Sequence, residues 1–384
     1  MGTIQNGKKI NIKLIVVLSI IILLIVFFCL YKFNYGFRQT VNGLITLQTN
    51  TNENVPMINI DQNTTNAILG YDEYFAILKQ NNITGYINEK PEFQNSVPIT
   101  NPIYAVEGKY LLIAEKGDNK VFLFNGKNLV YENVVGGEIT GLTVNKNGYV
   151  AVVVNKSGYR SVVTVYNPDG IEMFSTFFST TYASHVKISP NNKNMVIVEV
   201  DTSGIQVNSN IKFVQIDKIT ENTQTINASK ESSRVISDIQ FATNDTVVYV
   251  TDTMVREVNL LGQKNDILDL QNANIVNVDI GLGKYIVRTE KTKSGIFNTN
   301  TDIVIVDREN QEVGRYTLDG TIKQLKVNHD VIAANIGQEL YFLSSTGRPI
   351  KKYISNSDIK DIVIYNSGKM AALVYRNKVE IIYI

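Results

Sequence analysis

One pattern recurs eight times along the chain and limits the possible fold more than any other feature. It consists of a mostly aliphatic triplet at positions i, i+3 and i+5, a short polar turn and a β-branched run. The copies begin at Thr65, Ile103, Ile139, Ala183, Ile236, Ile275, Ile322 and Ile359. Steps of 38, 36, 44, 53, 39, 47 and 37 residues separate them, which is the period of a four-stranded propeller blade. The sequence therefore predicts an all-β, eight-bladed β-propeller over residues 56–384, with seven blades and one irregular unit as the alternative.

The fourth position of the repeat predicts a buried inner strand. It is aliphatic in every copy: Ile68, Val106, Leu142, Val186, Ile239, Val278, Leu325 and Ile362. A strand covered on both faces by neighbouring sheets needs such residues. The turns that follow, such as residues 145–148 and 366–369, are rich in Asn and Gly, which tolerate positive φ. Each repeat is thus expected to be an antiparallel meander that cannot bury both its faces alone.

The two ends of the repeat array fit a closed ring. The last repeat stops inside its third strand, residues 379–384, and a lone strand at residues 56–60 precedes the first repeat. If this N-terminal strand completes the last blade, closure removes two exposed sheet edges. We therefore expect residues 58–60 to pair with residues 379–384.

An uncharged apolar run precedes the repeats. Residues 14–31 contain Ser19 as the one polar residue and reach the ~18 residues at which a stretch becomes a membrane-span candidate. A cleavable signal peptide is the alternative, but its apolar region is usually ~7–15 residues long and ends in small residues, whereas this run ends in Phe-Phe-Cys-Leu-Tyr. Lys8, Lys9 and Lys13 precede the run, so the positive-inside rule places the N-terminus in the cytoplasm. The prediction is a cytoplasmic tail at 1–13, a transmembrane helix at 14–31, a linker at 32–55 and a propeller outside the cell membrane.

Composition excludes several classes of protein. The formal net charge of +1 provides no basic stripe for nucleic acid. Cys29 is the one cysteine and lies in the apolar run, so no disulfide supports the ring, which fits an exported bacterial protein. The chain has no tryptophan, whereas WD repeats and quinoprotein propellers depend on Trp motifs.

Two segments resemble a known superfamily. Residues 188–198, Ile-Ser-Pro-Asn-Asn-Lys-Asn-Met-Val-Ile-Val, resemble the hydrophobic-Ser-Pro-Asp-Gly-Lys signature of YVTN-type and TolB-like propellers, and residues 166–170, Tyr-Asn-Pro-Asp-Gly, are similar to outer hairpins of the same superfamily. The resemblance covers residues 56–384 and implies a fold, not a reaction. The layout of a basic tail, one span and a cysteine-free propeller is also similar to an uncharacterised family of membrane-anchored propellers from Gram-positive bacteria.

The third position of the repeat holds the candidate site residues. From blade 4 onward it is polar, and these residues are expected near one mouth of the central channel: His185, Asp238, Asn277, Gln324 and Asp361. This crescent is either a ligand site or a set of polar groups that satisfy one another and ordered water. His329, the second histidine, has no further His or Cys in sequence reach, so we predict no metal and no cofactor. Catalytic motifs are absent from the sequence, so no catalytic residue is predicted.

The longest insertions favour a binding role. Residues 201–210, 228–235 and 290–301 are expected as long loops on the ring face opposite the inner hairpin turns. Loops longer than closure requires are where binding functions are often located. We therefore predict a protein- or ligand-binding module of the bacterial cell envelope, with an envelope protein or glycan as partner. The alternative is a propeller-fold envelope hydrolase that uses Asp238 and Asp361 as a carboxylate pair at the channel mouth.

Overall fold

The computed structural model of the chain describes residues 12–33, 48–49, 55–61, 65–217, 225–272, 274–294, 298–328 and 330–384. Two compact units, Met1–Gln48 and Thr49–Ile384, make up the chain. The predicted tail, most of the predicted linker and His329 lie outside the described residues. The predictions made for them stay untested.

The first unit contains the helix α1, Ile12–Phe33, which includes the predicted apolar run. Its large apolar side chains from Leu18 to Leu30 are exposed. Among the side chains that the structure describes, no helix is long and apolar enough to cross a membrane. The structure therefore does not confirm the predicted span.

The second unit is an eight-bladed β-propeller, so the seven-bladed alternative is wrong. A two-residue strand, Gln48–Thr49, comes first in the chain, and four antiparallel strands then make up each blade. Blade 1 consists of Thr65–Tyr71, Tyr74–Lys79, Asn82–Ile87 and Lys90–Ser96, and blade 2 of Pro102–Glu107, Tyr110–Glu115, Lys120–Asn125 and Asn128–Val134. Blade 3 consists of Glu138–Val144, Val150–Lys156, Tyr159–Tyr166 and Glu172–Phe178, and blade 4 of Tyr182–Ile188, Asn194–Asp201, Asn208–Gln215 and Thr225–Glu231. Blade 5 consists of Ile236–Phe241, Thr246–Thr251, Met254–Asn259 and Lys264–Asp269, and blade 6 of Ile275–Asp279, Ile286–Ser294, Asn298–Val306 and Glu312–Asp319. Blade 7 consists of Gln324–Asn328, Val331–Asn335, Glu339–Ser344 and Pro349–Ile354, and blade 8 of Asp361–Ile364, Met370–Val374, Lys378–Tyr383 and Met57–Asn59.

The hydrophobic core is divided among the blade interfaces. Each of the eight contacts between neighbouring blades holds its own cluster of buried aliphatic and aromatic side chains. Second strands such as Val150–Lys156 are buried on both faces because a neighbouring sheet covers each face. A single blade would leave these faces in water, so the ring is the smallest stable unit.

The N-terminal strand closes the ring as predicted. Ile58 pairs with Val379 in the outer position of blade 8. The backbone N–H of Ile60 donates to the carbonyl of Asn377 at 3.0 Å. Ile58 and Ile60 pack on the cluster that joins blade 8 to blade 1. The N-terminal strand and the last strand thus cover each other's exposed sheet edge.

Asparagines in the inner turns hold neighbouring blades together. The side-chain amide of Asn145 in blade 3 donates to the backbone oxygen of Ser189 in blade 4 at 3.2 Å. The amide of Asn328 in blade 7 donates in the same way to Ile364 of blade 8 at 3.0 Å. The turns also use positive φ, as at Gly148, as their composition predicted.

Candidate functional site

The ring has two faces that carry different groups. Because every blade is a meander, the loops from strand 2 to strand 3 and the connections between blades open on one side, here named the mouth face. The turns from strand 1 to 2 and from strand 3 to 4 open on the other side, here named the turn face. Inner strands start at the mouth face, which places the third position of the repeat near that mouth of the channel.

A β-bulge directly precedes the third position in five blades. The pairing of strand 1 with strand 2 slips by one residue there in blades 1, 3, 4, 5 and 6. Hydroxyls at the bulge donate to the facing strand, as Ser184 does to the carbonyl of Val198 at 3.2 Å and Ser237 to that of Val250 at 3.3 Å. Such bulges redirect the following side chain and often adjoin functional sites. No feature of the repeat pattern predicted them.

The predicted crescent separates into two groups. On blades 7 and 8, the amide of Gln324 donates to the carboxylate of Asp361 at 3.0 Å, and Lys326 forms an ion pair with the same carboxylate at 3.0 Å. On blades 4 and 5, His185 and Asp238 lie close enough to interact electrostatically. Asn277 is exposed between the two groups. The carboxylates of Asp238 and Asp361, which the hydrolase alternative requires, therefore have different neighbours.

Burial controls the protonation of His185. Burial lowers the pKa of the imidazole, and the positive charge of Lys187 lowers it further. The negative charge of Asp238 raises the pKa but does not outweigh burial. The Nδ1 atom lies 3.1 Å from the hydroxyl oxygen of Ser184. The ring is therefore a neutral hydrogen-bonding group at pH 7.

The fifth position of the repeat lines the channel in blades 2 to 5, which the prediction missed, whereas in blade 1 it is buried between blades 1 and 2. Its members are Leu69, Glu107, Thr143, Lys187, Gln240, Asp279, Lys326 and Val363. Side chains two residues apart on a strand share a face, so the alternation that places the third position in the channel places the fifth there too. Burial raises the pKa of Asp279, and the nearby charge of Asp238 raises it further.

A cavity of about 490 Å³ occupies the channel between the inner strands of blades 2 to 5 and the inner turn of blade 6, residues 281–283. Its lining includes Tyr104, Glu107, Lys146, His185, Lys187 and Gln240. Ala105 and Gly141, the small third-position residues of blades 2 and 3, also line the cavity and leave it open. The described part of the chain holds no cluster of His, Cys, Asp and Glu that could bind a metal ion.

The mouth face also carries an aromatic cluster on blades 3 and 4. Tyr159, Phe177 and Tyr182 are 39%, 48% and 40% exposed, and the rings of Tyr159 and Phe177 lie 4.9 Å apart. Two cations flank them: the Lys156 ammonium lies 5.9 Å from the ring centre of Phe177, and the Arg160 guanidinium lies 5.2 Å from that of Tyr182.

One of the three predicted long loops is instead largely strand in its described residues, and a second is half strand. Residues 290–301 belong largely to a long hairpin in which Lys291 pairs with Thr301, and Thr225–Glu231 takes up the first half of residues 228–235. The connection between Asp201 and Asn208 is a loop as expected. In these segments the extra residues continue the strands by hydrogen bonding to each other. A repeat that is longer than its neighbours therefore does not by itself indicate a long loop. A shallow cavity of about 390 Å³ lies beside the remaining loop and is lined by Gln206, Val207, Ser233, Val235 and Asp252.

The family is shown by a match over nearly the whole chain. A family model covers residues 47–384, which include the complete propeller. The chain belongs to the DUF5711 family. That family is described as one of unknown function, so membership assigns no partner or reaction. A comparison with curated proteins finds no match.

Solved structures support the propeller fold. The C-terminal WD40 domain of Sif2 is similar with a TM-score of 0.56 at 14% identity, over 85% of this chain and 98% of that one. The Dos1 propeller gives a TM-score of 0.54 at 11% identity, over 85% and 93%. BamB from Moraxella catarrhalis gives 0.47 at 10% identity, over 88% and 100%. At these identities the likeness to the Sif2 and Dos1 propellers shows the fold alone, and the BamB score is too low to add to it. The finer YVTN/TolB-like and Gram-positive resemblances stay predictions.

Proposed function

We propose that this member of the DUF5711 family is a binding module of the bacterial cell envelope, anchored in the cytoplasmic membrane by residues 14–31, which binds a partner protein through its mouth face. The observation that carries the proposal is the aromatic cluster of Tyr159, Phe177 and Tyr182. The partner segment that fits it presents apolar side chains flanked by carboxylates.

The composition of the cluster is that of an interface centre. Tyrosine, phenylalanine and arginine are enriched in the buried centres of protein interfaces and carry most of their binding energy. The rings of Tyr159 and Phe177 contact each other at a tilt of 47°, with their centres 4.9 Å apart. Each ring limits the rotamers of the other in the free protein, so binding loses less side-chain entropy. Clustered exposed apolar groups on a soluble domain commonly mark an interaction surface.

Charge favours an acidic partner segment. Lys156 and Arg160 contact the rings of Phe177 and Tyr182, and Arg160 also donates to the Tyr182 hydroxyl. No ion pair engages either cation within the described ranges. A carboxylate of the partner would gain a charge-assisted hydrogen bond at the rim of an apolar contact.

The proposed anchor is supported by the sequence of residues 14–31 and by the exposed apolar side chains of α1. Mass spectrometry of the mature protein should recover its N-terminal peptide, and protease added to wall-stripped cells should remove the propeller. A mature N-terminus beyond residue 31 would contradict the anchor.

Crosslinking in intact cells tests the binding face. A photoreactive phenylalanine analogue at position 177 should capture one specific protein, whereas the same analogue at position 171 on the turn face should not. With the captured protein purified, replacing all three aromatic-cluster residues by serine should weaken binding by about 10⁴-fold, because each interface anchor contributes ~2 kcal/mol or more and ~1.4 kcal/mol is tenfold in affinity.

A matched triple variant controls for loss of exposed apolar surface. Ile171, Leu261 and Ile350 are exposed apolar residues on the turn face. Replacing these three by serine should change the affinity less than threefold. Equal capture from both faces, or equal loss of affinity in the two triple variants, would refute the mouth face as the binding surface.

A further inference from the structure

The channel cavity has the size of a small-molecule site. Its volume of about 490 Å³ lies within the ~300–1,000 Å³ typical of ligand pockets. Inner strands from four blades and an inner turn of blade 6 line it, so most of its wall is hydrogen-bonded sheet. The aromatic ring of Tyr104 and the amide of Gln240 supply an apolar surface and a hydrogen-bonding group.

The cavity lining carries a net positive charge. It contains two lysines, Lys146 and Lys187, one carboxylate, Glu107, and the neutral His185. Across the channel, Lys326 is paired with Asp361 at 3.0 Å. Lys146 and Lys187 form no such ion pair with any residue that the structure describes. Lys187 is half-buried, and a partly desolvated ammonium gains stability when an anion binds beside it.

Acidic groups beside the cavity would orient a ligand. Asp238 and Asp279, on blades 5 and 6, interact electrostatically with each other and lie outside the cavity lining. An anionic group is repelled by these two carboxylates and attracted to Lys146 and Lys187 on blades 3 and 4. Gln240 occupies the same repeat position as Lys187 on the neighbouring blade, so both can reach one bound group.

We propose that this cavity binds a small organic anion, a carboxylate- or phosphate-bearing molecule of metabolite size, with its acidic group at Lys187 and Gln240. The site is separate from the aromatic cluster. A ligand here would make the chain a receptor for a solute as well as for a protein.

Calorimetric titration of the full-length chain in detergent micelles tests the proposal with three probes: succinate, inorganic phosphate and the dication putrescine. Binding of succinate or phosphate with millimolar or better affinity is expected, and the tighter of the two identifies the acidic group. Binding of putrescine alone, or of none of the three, would overturn the proposal.

Variants then locate the bound anion. Lys187→Met should weaken binding about tenfold or more, the loss typical of one charge-assisted hydrogen bond, and Lys187→Arg should restore most of it. Lys193→Met, which removes an exposed lysine from the nearby turn, is the matched control and should bind as the wild type does. Serine variants of the aromatic cluster should also bind the anion normally, which separates this site from the protein-binding face. Equal losses in Lys187→Met and Lys193→Met would show non-specific charge binding and refute the site.

Discussion

Glu231 is the most informative side chain for testing how neighbouring blades hold together. It ends the outer strand of blade 4, and its side chain is 2% exposed. Its carboxylate forms ion pairs with Lys264 at 2.6 Å and Arg256 at 2.8 Å, both on blade 5, and accepts a hydrogen bond from the Tyr249 hydroxyl at 2.8 Å. Arg234 lies 3.6 Å away. Glu231→Gln keeps the shape of this group and removes its charge.

The expected loss of stability is about 3 kcal/mol. Removing one partner of a buried ion pair costs ~3–5 kcal/mol, and the lower end applies because Arg256 keeps its second partner, Asp266, and Lys264 is partly exposed. An unfolding entropy of ~2.1 cal/mol/K per residue over roughly 330 residues is about 0.7 kcal/mol/K. The melting temperature should therefore fall by about 4 °C, measured by differential scanning calorimetry at pH 7.

Acidification should reduce the difference. Burial alone would raise the pKa of the Glu231 carboxyl, but the hydrogen bonds from Lys264 and Tyr249 and the charges of Lys264 and Arg256 outweigh it and lower the pKa below 4.5. A depressed pKa in the folded state stabilises the protein fully above the unfolded value and progressively less as pH falls through the folded one. The difference in stability between wild type and Glu231→Gln should thus shrink as the pH falls below 4.5 towards the lowered pKa of the folded state.

An exposed pair supplies the control. Lys120 and Glu132 lie 2.9 Å apart with both side chains more than 40% exposed, so Glu132→Gln should change stability by no more than ~0.5 kcal/mol. A Glu231→Gln protein as stable as the wild type, or a difference that persists unchanged at pH 3.5, would show that the buried carboxylate does not link blades 4 and 5.

Two further substitutions test ring closure and blade packing. Ile58→Asp should lower the free energy of unfolding by ~2 kcal/mol or more in urea, because it places a charge in the cluster between blades 8 and 1. Met57→Asp, on the exposed side of the same strand, should cost less than ~1 kcal/mol. Equal effects of the two substitutions would contradict ring closure by this strand. Gly314→Ala should cost ~1–3 kcal/mol of stability, because its Cβ would overlap the backbone oxygen of Thr346 in the next blade. Gly136→Ala should be near neutral, because the nearest atom to its Cβ would be Lys156 Nζ at 3.7 Å. A neutral Gly314→Ala would contradict the close packing of blades 6 and 7.

Local periodicity made the blades predictable. The aliphatic fourth position, exemplified by Leu142 and Ile239, and the Asn-Gly turns depend on residues near one another in the chain, so they can be recognised without knowing what lies opposite. Ring closure was predictable for the same reason, because the missing last strand and the extra first strand are both visible as runs.

Contacts between blades were not predictable in this way. His185 interacts with Asp238, and Gln324 donates to Asp361. Each pair joins two blades, so its partners are far apart in the chain and no local pattern indicates which of them approach each other. Lys187 was missed, although the same two-residue alternation that indicated the crescent also points the fifth position into the channel.

The sequence by itself determined the eight repeats, the inner strands and the closing strand, because each is a local pattern of apolar residues and turns, and the structure decided that all eight repeats are blades. Tertiary structure alone decided the aromatic cluster and the ion pairs of Glu231, since these bring together residues from different strands and blades. It also decided that residues 290–301 extend a hairpin, because inter-strand hydrogen bonds can stabilise polar segments that resemble loops in sequence.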